Sequence, residues 1–207
     1  MRIAKNVLAI GAHPDDIELG CGGTLIQHVS AGDSVTMLVL TNGEHGPGDV
    51  FLRRGEQEAS CRVMGVDHLE WGGLPDLAVG NHERELVAVI ERVIAQYHIS
   101  VVYTHGMFDT HQDHRAAALG TLGAARKCRR VLYYSSPSSY DFSPTVFVDI
   151  TSVTDKKIEA LQCHESQIIA SEKVSSEHVR GEALHRGRQA LTEAAEGFTP
   201  HRFMLEI

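Results

Sequence analysis

Gly11-Ala12-His13-Pro14-Asp15-Asp16-Ile17-Glu18-Leu19-Gly20-Cys21-Gly22-Gly23 directly follows the apolar run Val7-Leu8-Ala9-Ile10. Such a short aliphatic run reads as a buried strand. A strand ending in Gly, then His and two Asp, then a glycine cluster opening a helix, is how an α/β protein presents chemistry at the carboxyl edge of its sheet. His13 offers an imidazole nitrogen and Asp16 a carboxylate oxygen, and Pro14 restricts the turn between them so that both can point at one spot. That donor pair suits a zinc ion. Asp15, between them in sequence, is expected to project differently and to be left free beside such an ion, as a general base must be. Acidic residues before a helix also act as caps, and this stretch alone supports the two readings equally.

Outward from it, strands and helices alternate. A helix over Thr24 to Ala31, stopped at Gly32, leads to a second buried strand, Ser34 to Thr41, and then to the glycine-rich loop Asn42 to Gly48. A helix over Leu52 to Met64, a short strand around His68 to Trp71 and the loop Gly72-Gly73-Leu74-Pro75-Asp76 follow. The helix Glu83 to Tyr97 has Leu86, Val89, Ile90, Val93 and Ile94 on one face. Then come a strand over Val101 to Thr104, a helix near His111 to Lys127, and strands near Val131 to Tyr134 and Val146 to Ile150. Helices near Thr154 to Cys163 and Glu172 to Glu193 complete the reading. The pattern predicts one α/β domain over residues 1–207, three-layered and Rossmann-like, its mostly parallel sheet covered by helices on both faces.

The bulk numbers limit the function classes. The chain has 207 residues, 43% hydrophobic and 22% charged, which is globular composition. Its 27 acidic against 19 basic residues give a net charge of -8, which disfavours nucleic acid and anionic membranes as partners. Cys21, Cys61, Cys128 and Cys163 form no CxxC pair and read as free thiols of a reduced compartment. Met1-Arg2-Ile3-Ala4-Lys5 lacks a secretory apolar region and no run is long enough to span a bilayer, so the expectation is a cytoplasmic protein without membrane insertion.

The second informative stretch is Asp109-Thr110-His111-Gln112-Asp113-His114-Arg115, after the strand Val101 to Thr104. By the same edge argument it faces the first. His111 and His114 are three apart, so on a first helical turn they share a face. A third ligand from here makes a His, Asp, His set with open positions, the pattern of a catalytic zinc site. A helix start in which Thr110 caps and Asp113 completes the capping box explains the same residues, and both can hold. The other histidines read as ordinary surface or core residues, except His105, which sits near the same edge.

Through these two stretches together, the chain resembles the zinc-dependent de-N-acetylases (PIG-L or LmbE-like), which include the N-acetylglucosaminyl-phosphatidylinositol deacetylases and bacterial deacetylases of thiol biosynthesis. The matching residues are Ala12-His13-Pro14-Asp15-Asp16 and His111-Gln112-Asp113-His114. Weaker matches are Arg53-Arg54-Gly55-Glu56, Leu74-Pro75-Asp76, Lys157 to Gln167 and Ala195-Glu196-Gly197-Phe198. Ile17 stands where the family commonly has Glu, and Ala194 where many members carry a Tyr that reaches the active site.

The resemblance implies a hydrolase that removes an N-acetyl group from an N-acetylglucosamine-type amino sugar or small glycoside. It implies that His13, Asp16 and His114 hold the metal, with a bound water acidified at an open position. Asp15 takes that water's proton and later passes it to the leaving amine. A protonated His111 stabilises the oxyanion, and Asp113 favours its charge; Arg53 and Asp76 bind sugar hydroxyls. Lys157, His164, Ser166, Gln167 and Glu196 are structural. The cofactor is Zn2+, with Fe2+ or another divalent ion compatible with the same ligands. The alternatives are an amidase acting on sugar-linked thiol conjugates, a nucleotide-binding Rossmann module, and a non-catalytic metal-bound protein. A G-x-G-x-x-G run is absent after the first strand, which counts against the nucleotide module. The oligomeric state, a homo-oligomer included, is left open.

Overall fold

The computed structural model describes residues 3–170 and 175–205. Its centre is β1 (Asn6–Gly11), every residue of which after Asn6 is buried. The strand is flanked by β2 (Ser34–Val39) and β4 (Val101–His105), parallel to both, with Val7 opposite Val35 and Val101. Outside these lie β3 (His68–Trp71) and β5 (Arg130–Tyr134), also parallel. The sheet has seven strands in the order β3-β2-β1-β4-β5-β7-β6, with β6 at Val146–Asp149 and β7 at Ala195–Phe203.

Alternate residues of β1 feed two separate cores, as the two-residue period of a strand requires. Val7 and Ala9 pack with Leu25 of α1 (Asp16–Ser30), Met64 of α2 (Val50–Met64) and Ala160 of α5 (Thr154–Gln162). Leu8 and Ile10 pack with Leu86 and Ile90 of α3 (Glu83–Gln96) and Ala117 of α4 (Gln112–Ala124). Helices therefore cover both faces, and the expected three-layer α/β arrangement with a mostly parallel sheet is the one found. After β1 the chain moves to β2 and β3 on one side and later returns to β4 and β5 on the other. The crevice between the carboxyl ends of β1 and β4 is thus the switch point at which open α/β sheets bind ligands.

Three regions of the chain differ from the sequence expectation. First, β7 was not foreseen, because Gly197 and Pro200 read against a strand. It pairs antiparallel with both β5 and β6, and the register shifts between Val131 and Leu132, where Pro200 faces Leu132. Second, a short α6 (Glu165–Ala170) follows α5, and the last helix, α7, spans Ser176–Ala190; residues 172–174 of its expected start lie outside the described residues.

Third, α1 begins at Asp16 rather than Thr24 and is broken at Cys21 (φ -149°, ψ 16°). The break leaves a carbonyl on one side and N–H groups on the other, and a buried ion pair satisfies both. Lys157 Nζ donates to the Leu19 carbonyl (2.9 Å), while the Glu196 carboxylate accepts from the Gly23 and Thr24 N–H groups (2.9 and 2.7 Å). The two side chains meet at 2.6 Å. At Gly20 a Cβ would lie 2.1 Å from the Tyr134 ring, so only glycine lets α1 rest on the end of β5.

Candidate active site

The chain leaves β1 through Gly11 and Ala12, whose carbonyls accept from the Leu40 and Thr41 N–H groups, so the strand edge is fixed up to His13. There Asp16 folds back, its Oδ2 accepting from the His13 N–H at 2.7 Å. The same carboxylate is the meeting point of the site: Oδ2 lies 3.2 Å from His13 Nδ1 and 3.2 Å from His105 Nε2, and Oδ1 lies 3.3 Å from His114 Nε2. His105 comes from the end of β4 and His114 from the first turn of α4, so the switch point assembles donors that are about a hundred residues apart. The His105 and His114 rings stack at 3.9 Å, and His111 lies 4.6 Å from His114 and 4.7 Å from His13, centroid to centroid.

This donor set fits a divalent ion. The groups His13, His111, His114 and Asp16, His105, His114 each bring one ligand atom per residue within 4.8 Å of one another. The electrostatics point the same way. Burial disfavours charge on His13, yet Asp113, Asp16 and Asp76 outweigh it and raise its pKa well above the usual value. Burial likewise opposes charge on His114, but Asp16 and Asp109 push its pKa up to about 9. Protons held on these rings supply the positive charge that the surrounding carboxylates require, and a metal ion supplies it equally.

The outer nitrogens of His13 and His114, the ones turned away from Asp16, face carboxylates of their own. His114 Nδ1 is 3.1 Å from Asp109 Oδ2. Asp109 is completely buried and also accepts from the His111 N–H and from the hydroxyls of Ser136, Ser138 and Ser139. Burial disfavours its ionised form, but His114 and these donors hold its carboxyl far below the usual range. On the other side, His13 Nε2 lies 3.0 Å from Asp76 Oδ1 and 3.4 Å from Asp113 Oδ2.

The sequence-expected residues all lie at or against this crevice, but not all in the expected contacts. Asp113, expected to support charge on His111, turns its carboxylate to the Leu77 and Val79 N–H groups and to His13. His111 caps α4, its Nδ1 accepting from the Asp113 N–H at 3.2 Å. Its pKa is lowered by burial and by His13 and His114, and with Nδ1 accepting, the hydrogen of the neutral ring belongs on Nε2. Asp76, expected to bind a sugar, has both oxygens engaged by His13, His45 N–H and Leu77 N–H. Arg53, expected to do the same, is 3% exposed and grips the carbonyls of Gly43 and Pro14.

Asp15 is 8% exposed, and no hydrogen bond to its carboxylate exists among the described residues. Its pKa is pushed up to about 7, by burial and by Asp16 above all, with His164 and Arg53 pulling the other way. Asp109 and its serines escaped the sequence reading. The signal available was Ser135-Ser136-Pro137-Ser138-Ser139 at the end of β5, a hydroxyl-rich run at the same sheet edge.

The family model described as PIG-L, GlcNAc-PI de-N-acetylase, matches residues 8–125. The diacetylchitobiose deacetylase of Thermococcus kodakarensis is 30% identical over 228 residues, covering 97% of this chain and 85% of that protein. The 4-oxalmesaconate hydratase of Pseudomonas putida is 25% identical over 218 residues, covering 90% and 81%. Among solved structures, the conserved protein TT1542 of Thermus thermophilus superposes with a TM-score of 0.89 at 26% identity, covering 98% of this chain and 97% of that one.

Proposed function

This chain belongs to the PIG-L family of GlcNAc-PI de-N-acetylases, and from that premise we propose that it is a metal-dependent amide hydrolase that removes the N-acetyl group of an N-acetylglucosamine-type amino sugar or small glycoside. One observation carries the reading. The Asp16 carboxylate lies 3.2 Å from His13 Nδ1 and 3.3 Å from His114 Nε2, and the neighbouring Asp15 carboxylate has no hydrogen bond among the described residues.

In this reading His13, Asp16 and His114 would hold a divalent ion, zinc or ferrous iron. Such an ion would supply polarisation of the acetamide carbonyl and a lowered pKa of water. Asp15 accepts the proton of the attacking water on a carboxylate oxygen and returns it to the amine nitrogen as the C–N bond breaks; the amine is too basic to leave without it. A carboxyl with a pKa near 7 suits both transfers. His111 donates its Nε2 hydrogen to the developing oxyanion as a neutral imidazole, since Nδ1 is occupied as an acceptor. Asp109, Asp76 and Asp113 orient the two ligand rings, and Arg53 braces the His13–Asp15 turn through Pro14.

An acetate-release assay across N-acetylglucosamine derivatives, with metal content measured on the same protein, tests the proposal. Metal-dependent acetate release from at least one amino sugar is expected. Water addition to an activated double bond without acetate release from any amino sugar would overturn it, and the relative from Pseudomonas putida makes that comparison worth running.

A further inference from the structure

Asp15 occupies the N-cap position of α1, where an acidic side chain ordinarily turns back onto the helix. Other side-chain N-caps among the described residues serve for comparison. Asp49 (φ -83°, ψ 166°) accepts from Leu52 N–H, and Ser175 (φ -72°, ψ 151°) accepts from His178 N–H. Asp15 accepts the first helical bond on its carbonyl, from Leu19 N–H at 3.0 Å, but its φ is 92° and its ψ -24°, and its carboxylate caps nothing. A left-handed backbone is unfavourable for any residue other than glycine, so something must hold it there.

The holding contact comes from α2. Asp15 N–H donates to Gln57 Oε1 at 3.3 Å, and Gln57 is completely buried. The orientation of that amide is imposed from its other end, where Nε2 donates to Glu18 Oε1 at 2.6 Å. Glu18, also completely buried, accepts from Ser60 Oγ at 2.6 Å and lies 3.4 Å from His164 Nε2. Counting from the cap, Glu18 is the third helical residue, whose side chain in a capping box reaches back to the N–H of the cap residue. Here it reaches Gln57, and Gln57 reaches Asp15.

We propose that Gln57 is a positioning residue for the reaction: an amide inserted into the capping box of α1 that satisfies the Asp15 N–H, holds its left-handed backbone and so keeps its carboxylate out of the cap and available as the proton acceptor. The inference rests on the reading of Asp15 as base. With Gln57 gone, Asp15 relaxes to the extended conformation of an ordinary cap and its carboxylate turns onto the N–H of Ile17 or Glu18.

The test is Gln57→Met, which keeps length and removes both polar atoms, against Met64→Ala on the same helix, a buried truncation that costs stability without touching Asp15. Gln57→Met is expected to bind the same amount of metal with KM within about twofold, while kcat falls by about tenfold or more. Met64→Ala is expected to lower stability with kcat retained. Glu18→Ala keeps Gln57 but frees its amide to rotate, and is expected to lose kcat in the same way; it decides the matter if Gln57→Met does not fold. A crystal structure of whichever variant folds is expected to show the Asp15 carboxylate turned onto α1. An Asp15 that keeps its wild-type conformation, or a kcat that is unchanged, overturns the proposal. Wild-type protein that hydrolyses no amide sinks the deacetylase reading instead, and the Asp15 conformation then decides the positioning role by itself.

Discussion

Glu196→Gln tests the physical account of the broken helix. Glu196 and Lys157 are each 4% exposed and 2.6 Å apart, and Glu196 accepts two further hydrogen bonds, from Gly23 and Thr24. The amide keeps an oxygen for one side of this cluster and turns an NH2 group toward a donor on the other. Lys157 then remains buried with the Leu19 carbonyl as its partner. Removing one member of a buried pair costs about 3–5 kcal/mol, and the retained oxygen puts Glu196→Gln near the lower end, about 3 kcal/mol. Lys157→Met leaves the buried carboxylate with only its two N–H donors and also strands the Leu19 carbonyl, so it too should cost about 3–5 kcal/mol. Combining the two removes the uncompensated charge, so the double variant should recover about 1–3 kcal/mol relative to the sum of the singles. Urea unfolding of the four proteins, at constant m value, measures the cycle. A loss below about 1 kcal/mol for Glu196→Gln, or strict additivity, would refute the account, because a buried charge can lose its partner cheaply only if water reaches it.

Three further outcomes bear on the site. Asp15→Asn keeps the shape and removes the proton acceptor, so metal content should hold while kcat drops by about 10²-fold or more; near wild-type turnover would sink the mechanism. Asp109→Ala frees the outer nitrogen of His114 and strands three serine hydroxyls, so metal affinity should fall about 10- to 100-fold, read by competition with a chelator. In the metal-free protein the proton on His114 has a pKa of about 9, above the ordinary 6.5, so it is held at neutral pH and must leave before Nε2 can ligate. Ion binding at pH 7.5 should therefore release about one proton from this ring, and apparent affinity should rise with pH until about 9. Calorimetry in buffers of different ionisation enthalpy reads that release, and a pH-independent affinity would contradict it.

The alternation of strands and helices was legible in the sequence because each element carries its own periodicity. The run Val7 to Ile10 is buried on both sides, and Leu86, Ile90 and Val93 recur at helical spacing, so local pattern alone predicts a parallel sheet with helices on both faces. His13 and Asp16 are equally local: a three-residue turn with a proline brings their donors together whatever lies elsewhere. β7 was not legible, because its strand conformation is imposed by β5 and β6 on a stretch whose Gly197 and Pro200 argue against it.

The same division runs through the site. Which carboxylate serves which histidine depends on contacts between segments far apart in the chain, and side-chain type does not encode them. Asp113 and Asp76 meet the outer nitrogen of His13 only because the loop after β3 closes against the start of α4. Asp109 reaches the serines only because β4 and β5 end side by side. Asp15 looked in sequence like a helix cap or a base, and both readings used the same residue at the same position. Gln57 separates them, forty-two residues away, through one hydrogen bond to a backbone N–H that only the packing of α2 against α1 creates.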